Sequence, residues 1–128
     1  MRKALMILIT GTLLTCSVHA FAADLDDDMD ILAQNLGTAQ TAIDAAKMNT
    51  ALSSMRGAAL DAQKAIPAKL EGKAANSAEM KDYRHGLDIL VEQIDHALSL
   101  VHDGNISEAQ KVVNELKVTR DTYHHKYR

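Results

Sequence analysis

Cysteine is almost missing from this sequence: Cys16 is the only one in 128 residues. It falls in a segment that reads as an export leader. Arg2 and Lys3 make a basic start, residues 4–18 run almost without charge, and Ala20-Phe21-Ala22 offers the small-x-small pattern after which signal peptidase cuts. The uncharged run is about 15 residues, short of the roughly 20 needed to cross a membrane. A lipid-anchor role for Cys16 is disfavoured by Thr15 before it, where a smaller residue is preferred. Once the leader is cut after Ala22, residues 23–128 contain no cysteine at all. That excludes a disulfide, a thiolate metal site, a cysteine nucleophile and the Cys-x-x-Cys-His motif that attaches haem covalently.

Proline and strand signals are equally scarce. The one proline is Pro67, apolar residues recur at steps of three and four rather than two, and no internal repeat stands out. Loss of Arg2 and Lys3 with the leader leaves 12 of 14 basic residues against 17 acidic ones, a formal charge of −5. Such a surface does not suit nucleic acid or anionic lipid and does suit a basic protein partner. Removing 22 of the 128 residues leaves 106, enough for one domain with a real core and too few for two.

What the chain has in abundance is helical spacing. Asp24 is a good N-cap for a first helix ending near Thr41, with Leu25, Met29, Leu32, Leu36 and Ala39 on one stripe and Asp26, Asp27 and Asp28 in its first turn. A second helix runs over about 45–65, after a cap at Asp44, with Met48, Leu52, Met55, Ala59, Ala62 and Ile66 inward. Pro67 stops it. Residues 67–76 read as an exposed loop. A third helix opens at Asn76 or Ser77, with Glu79 as a partial capping box. It buries Met80, Tyr83, Leu87, Leu90, Ile94, Leu98 and Val101. After the turn Asp103-Gly104-Asn105, Asn105 and Glu108 cap a fourth helix carrying Ile106, Ala109, Val113, Leu116, Tyr123 and Tyr127. No such helix can bury its stripe alone. Short connections make the neighbours antiparallel, so the expected fold is all-α, an antiparallel up-down-up-down four-helix bundle with polar outer faces and no reason to be other than a monomer.

This topology places the start of the first helix and the end of the last at one end of the bundle. Met29, on the second turn of the first, and His124, on the last turn of the fourth, then face one level. Methionine with histidine selects haem iron or copper rather than zinc. Each residue also has an ordinary explanation: Met29 as core, like Met48, Met55 and Met80, and His124 as a favourable charge at a helix C-terminus. His85, His96, His102 and His125 read as surface residues; His85 and His96 are about 16 Å apart along one face and cannot share an ion. No serine sits in a nucleophile context, so no enzyme is expected.

Longer segments carry a resemblance. The run Ala23-Asp24-Leu25-Asp26-Asp27-Asp28-Met29-Asp30-Ile31-Leu32 resembles the cytochrome b562 family of periplasmic haem proteins. So do residues 55–65 (Met-Arg-Gly-Ala-Ala-Leu-Asp-Ala-Gln-Lys-Ala), 79–91 (Glu-Met-Lys-Asp-Tyr-Arg-His-Gly-Leu-Asp-Ile-Leu-Val) and 123–128 (Tyr-His-His-Lys-Tyr-Arg). The similarity spans the whole of 23–128. It implies a periplasmic electron-transfer protein with one non-covalent b-type haem per chain, Met29 and His124 as axial ligands, and a redox protein as partner. It also implies Arg120 against the haem edge and a pocket lined by Leu32, Leu36, Met55, Met80, Tyr83 and Leu87. The family pattern has phenylalanine where this chain has Tyr83 and Leu87, and a second proline where it has Ala68. An unpaired Tyr83 hydroxyl would cost about 1–3 kcal/mol.

Two rival readings remain open at this point. A haem-free helical stress sensor or metal chaperone would also be small, exported and helical. A chaperone would show ligands clustered at i and i+4 or a Met-rich tail, and neither is present. A gas-binding bundle of the cytochrome c′ type would need the absent Cys-x-x-Cys-His motif.

Overall fold

A computed structural model describes residues 19–128, with side chains from Asp24 onward. Residues 1–18 of the expected leader lie outside the described residues. Four α-helices follow one another: α1 (His19–Thr41), α2 (Ala45–Ala62), α3 (Ala78–His102) and α4 (Ile106–Tyr127), with one 3-10 turn, Ala68–Leu70, between α2 and α3. No strand occurs among the described residues, and no helix there is long and apolar enough to cross a membrane.

Cross-helix pairs set the direction of each helix. Arg56 meets Asp95 at 2.7 Å and Gln63 donates to Asp88, so α2 and α3 run antiparallel. Gln110, on the second turn of α4, donates to the Ala42 carbonyl just past the end of α1 at 2.9 Å. Lys126 and Tyr127, at the end of α4, reach Asp82 near the start of α3. Each helix packs on the two beside it in a closed ring, with the α1–α4 seam the sparsest. The result is the up-down-up-down bundle expected from the spacing. Its core holds Met48, Leu52, Met55, Met80, Ile94, Val113 and Leu116, each under 2% exposed.

Local chemistry explains the helix ends, including those that differ from expectation. α1 continues back through Asp24 to His19, because Ala20, Ala22 and Ala23 are strong helix formers. Asp24 is therefore interior to a helix and Met29 lies near its middle. Asp44 caps α2, accepting from the Ala46 and Lys47 amides at 2.7 and 3.4 Å. α2 ends at Ala62, three residues before 65, and tightens through i→i−3 bonds from Lys64 and Ala65. Ile66 is consequently 46% exposed, whereas Ala65, Pro67 and Leu70 turn inward. The 67–76 connection is thus not simply an exposed loop: Leu70 plugs the core.

Ser77 caps α3 by accepting from the Met80 amide at 3.3 Å. Glu79 stands one position too early for a reciprocal capping box, and its own backbone N–H, with Lys73 at 3.6 Å, holds its carboxyl below the usual range. Asn105 makes no side-chain cap; its backbone N–H instead donates to the Leu100 carbonyl at 2.8 Å around Gly104 at φ +81°. That is the α3 C-terminal closure for which glycine is favoured. Glu108, left without its capping role, pairs with Lys111 at 2.8 Å.

Candidate functional site

The bundle is densely filled at its Ala42 end and hollow at the other. The hollow is a cavity of about 670 Å³ between α1, α3, α4 and the 67–69 segment, within the range of cofactor-sized sites. Leu25, Leu32, Leu87 and Leu90 make apolar walls, and Arg120, Arg128 and Lys69 bring cations to it. Met29 from α1 and His124 from α4 both line it.

Met29 is partly buried because it shares the α1 stripe with Leu25 and Leu32. His124 is exposed on the last full turn of α4. Its Nε2 lies 3.3 Å from Arg128 Nη1. Arg120 is steadied by its neighbour Asp121, through Nε at 2.9 Å and Nη2 at 2.5 Å. Lys117 also binds Asp121 at 2.5 Å, and Lys117 and then Arg120 hold that carboxyl below its usual range.

Of the residues singled out from sequence, Met29, His124, Arg120, Tyr83, Leu87 and Leu32 line the cavity. Leu36, Met55 and Met80 are 2%, 1% and 1% exposed and belong to the packed core instead of the cavity wall. The Tyr83 hydroxyl is satisfied: it donates at 2.7 Å to the Ala62 carbonyl at the end of α2, which also accepts from the Ala65 amide at 3.2 Å. Burial, with the Asp28 charge nearby, pushes its pKa up to about 12. The cost attached to a buried, unpaired hydroxyl is not incurred.

Three features escaped the sequence reading. Tyr123, next to His124, lays its ring over Gly86 of α3, and a glycine inside a helix was the available signal. Tyr127 packs edge-on against Tyr83, with centroids 5.8 Å apart, and stacks with Tyr123 at 6.4 Å. Beside the cavity, Asp24, Asp27, Asp28 and Asp61 surround a hollow of about 350 Å³ with Lys64. Asp28 is only 8% exposed. Burial first, then Asp61, Asp24 and Asp27, raise its pKa.

A raised carboxyl pKa means that the ionised form is disfavoured in the folded state. Its contribution to stability is present below the unfolded value near 4 and is lost as pH rises through the folded one. Asp28→Asn is therefore expected to stabilise the fold by on the order of 1 kcal/mol at neutral pH. Urea unfolding should show that gain shrinking to nothing below about pH 4.

No group of three or more His, Cys, Asp or Glu among the described residues is placed to hold a metal ion. His85, His96, His102 and His125 are all exposed, as expected. A metal at this site would therefore come with a ligand of its own, and the apolar walls, cationic residues and two candidate axial donors suit a haem.

Comparison with known proteins agrees. The family model for cytochrome b562 matches residues 24–128. A relative from Yersinia pestis named probable soluble cytochrome b562 1 is 52% identical over 128 residues, covering all of both chains. A second from the same organism, probable soluble cytochrome b562 2, is 47% identical, also over the whole of both. With its bundle, its cavity and a match running from Asp24 to Arg128, this chain belongs to the cytochrome b562 family.

Proposed function

We propose that this protein carries single electrons on one haem b, held non-covalently with Met29 Sδ and His124 Nε2 as its axial ligands. Family membership supports a haem-binding electron carrier, not an enzyme. The observation that carries the finer reading is that Met29 and His124, from the first and last helices, line the same cavity. The absence of cysteine beyond Cys16 supports attachment by coordination and packing alone.

When bound, a haem supplies the one-electron couple of its iron. The protein's residues do the rest. Met29 and His124 would hold the iron from the two sides of the cavity and so leave no open position for oxygen or substrate; a thioether–imidazole pair would also raise the reduction potential relative to stronger donors. Leu25, Leu32, Leu87 and Leu90 exclude water from the site. Arg120, Arg128 and Lys69 are the cations available to carboxylates at the rim of such a ligand. Both donors sit on helices of one bundle and face its open end.

The proposed setting is the periplasm, with cleavage after Ala22 and a basic redox protein as partner. Support comes from the basic start, the short apolar run and Ala20-Phe21-Ala22, and from a family match that begins at Asp24. Haemin titration of the purified 23–128 chain tests the reading. Saturation at one equivalent is expected, with sharp low-spin bands in the reduced form and reversible oxidation. No binding, or a spectrum with an open iron position, would overturn it.

A further inference from the structure

The end of α4 carries His124 yet has little holding it to the bundle. The buried residues of α4 are Ala109, Val112, Val113 and Leu116, all in its first half. From Lys117 to Arg128 no side chain is buried. Only Tyr123, over Gly86, and Tyr127, partly buried against the core, pack inward there, so fraying of this end exposes less apolar surface than opening the first half would. Most polar contacts of this stretch do not tie it down. Lys117 and Arg120 bind Asp121, Thr119 binds the Glu115 carbonyl, Thr122 binds the Val118 carbonyl and Arg128 meets His124, all within α4.

The exception is Asp82, on the second turn of α3. Its Oδ2 accepts from Lys126 Nζ at 2.5 Å and from the Tyr127 hydroxyl. No other side-chain hydrogen bond joins the end of α4 to another helix among the described residues. A bare surface ion pair would contribute little, and Lys126 is half exposed. Here, however, two donors from successive residues converge on one carboxylate, the phenol–carboxylate bond is charge-assisted, and the Tyr127 ring is wedged against Tyr83. The Lys126 ammonium also lies 5.5 and 5.7 Å from the Tyr123 and Tyr127 ring centres. Tyr123, Lys126 and Tyr127 bracket His124 in sequence, so fixing them fixes the rotation and height of its imidazole.

We propose that Asp82 is a positioning residue for His124: it clamps the last turn of α4 to α3 and so keeps the imidazole facing the cavity before any ligand binds. The inference rests on His124 being an axial donor. It touches neither the cavity nor the ligand through Asp82 itself, which does not line the site. If the donor is presented in only a fraction of the molecules, the apparent dissociation constant rises by the inverse of that fraction.

The test compares the full 23–128 chain with its Asp82→Ala and Asp82→Asn variants, with and without haemin. In the haem-free Asp82→Ala chain, amide hydrogen exchange should accelerate about 10-fold over 118–127 and stay unchanged over 106–116. The haemin dissociation constant should rise by a similar factor, about 10-fold. At saturation the low-spin bands should match wild type, since both donors remain. Asp82→Asn still accepts from Tyr127 but loses the charge facing Lys126, so it should fall between the two. Arg56→Ala, which removes the exposed Arg56–Asp95 pair between α2 and α3, should change neither reading. Unchanged exchange at 118–127 in Asp82→Ala would overturn the clamp. Faster exchange with unchanged haemin affinity would overturn the positioning role. Exchange is read without haem, so a failure of the ligand assignment itself, reported separately by His124→Ala, is distinguishable from either.

Discussion

Replacing His124 with alanine is expected to abolish tight haem binding while leaving the haem-free fold nearly untouched. The position is exposed on the last turn of α4, outside the core, and its one side-chain hydrogen bond among the described residues is with Arg128. Surface substitutions of that kind usually shift stability by less than about 0.5 kcal/mol. The effect on haem is of another size. Loss even of groups that only support a metal ligand typically costs about 10–100-fold in affinity, so loss of the ligand itself should exceed about 100-fold. Two measurements separate these effects: urea unfolding of the haem-free chain, and haemin titration followed by absorption. Wild type should unfold later once haem is added, by about 2.7 kcal/mol at a hundredfold excess over the dissociation constant. The variant should lose that increment and retain only weak, altered bands.

Gly86→Ala should damage the same site from the opposite wall. A Cβ built at Gly86 falls 2.3 Å from Tyr123 Cδ1, 2.5 Å from Cε1 and 2.6 Å from Cγ. These are root and flank atoms of the ring, not a flexible tip, so the ring must leave its place or α4 must move away from α3. Overpacking of this kind costs about 1–3 kcal/mol. The better helix propensity of alanine returns up to about 1 kcal/mol, leaving net destabilisation. Gly57→Ala is the matched control. It is also inside a helix but has nothing within 4 Å of its Cβ, so the same substitution should stabilise by roughly 0.5–1 kcal/mol. Opposite signs in urea unfolding are expected, with haemin affinity lowered only for Gly86→Ala, because the displaced Tyr123 adjoins His124.

Most of the bundle was legible in the spacing of apolar residues. Leu25, Leu32, Leu36 and Ala39, or Met48, Leu52, Met55 and Ala59, are buried because a period near 3.6 leaves a single stripe to bury. Caps with one local partner, at Asp44 and Ser77, were legible too. The misreadings arose where a distant contact or a competing local one decided the matter. Ile66 looked like the next step of the α2 stripe, but α2 stops at Ala62, where Tyr83 takes the final carbonyl from another helix. Leu70 looked like loop, yet it fills space that the shortened α2 vacates. Asn105 looked like a side-chain cap, but its backbone is drawn into closing α3.

The site divides in the same way. That Met29 and His124 share one end follows from counting helices and their directions. Which pocket residues reach the cavity depends on register across helices: Leu32 and Leu87 do, whereas Met55, Met80 and Leu36 pack in the core. The Gly86–Tyr123 contact and the Asp82 clamp are pairings between residues 37 and about 45 positions apart. Nothing in either local segment announces them beyond a helical glycine and a pair of tyrosines around a histidine.

The most direct test of Met29 and His124 as the haem ligands is the crystal structure of the haemin-loaded chain. The predicted result is one haem in the cavity at the open end of the bundle, its iron bonded to Met29 Sδ on one face and His124 Nε2 on the other. A haem bound elsewhere, or iron in this cavity ligated by any other pair, would contradict it.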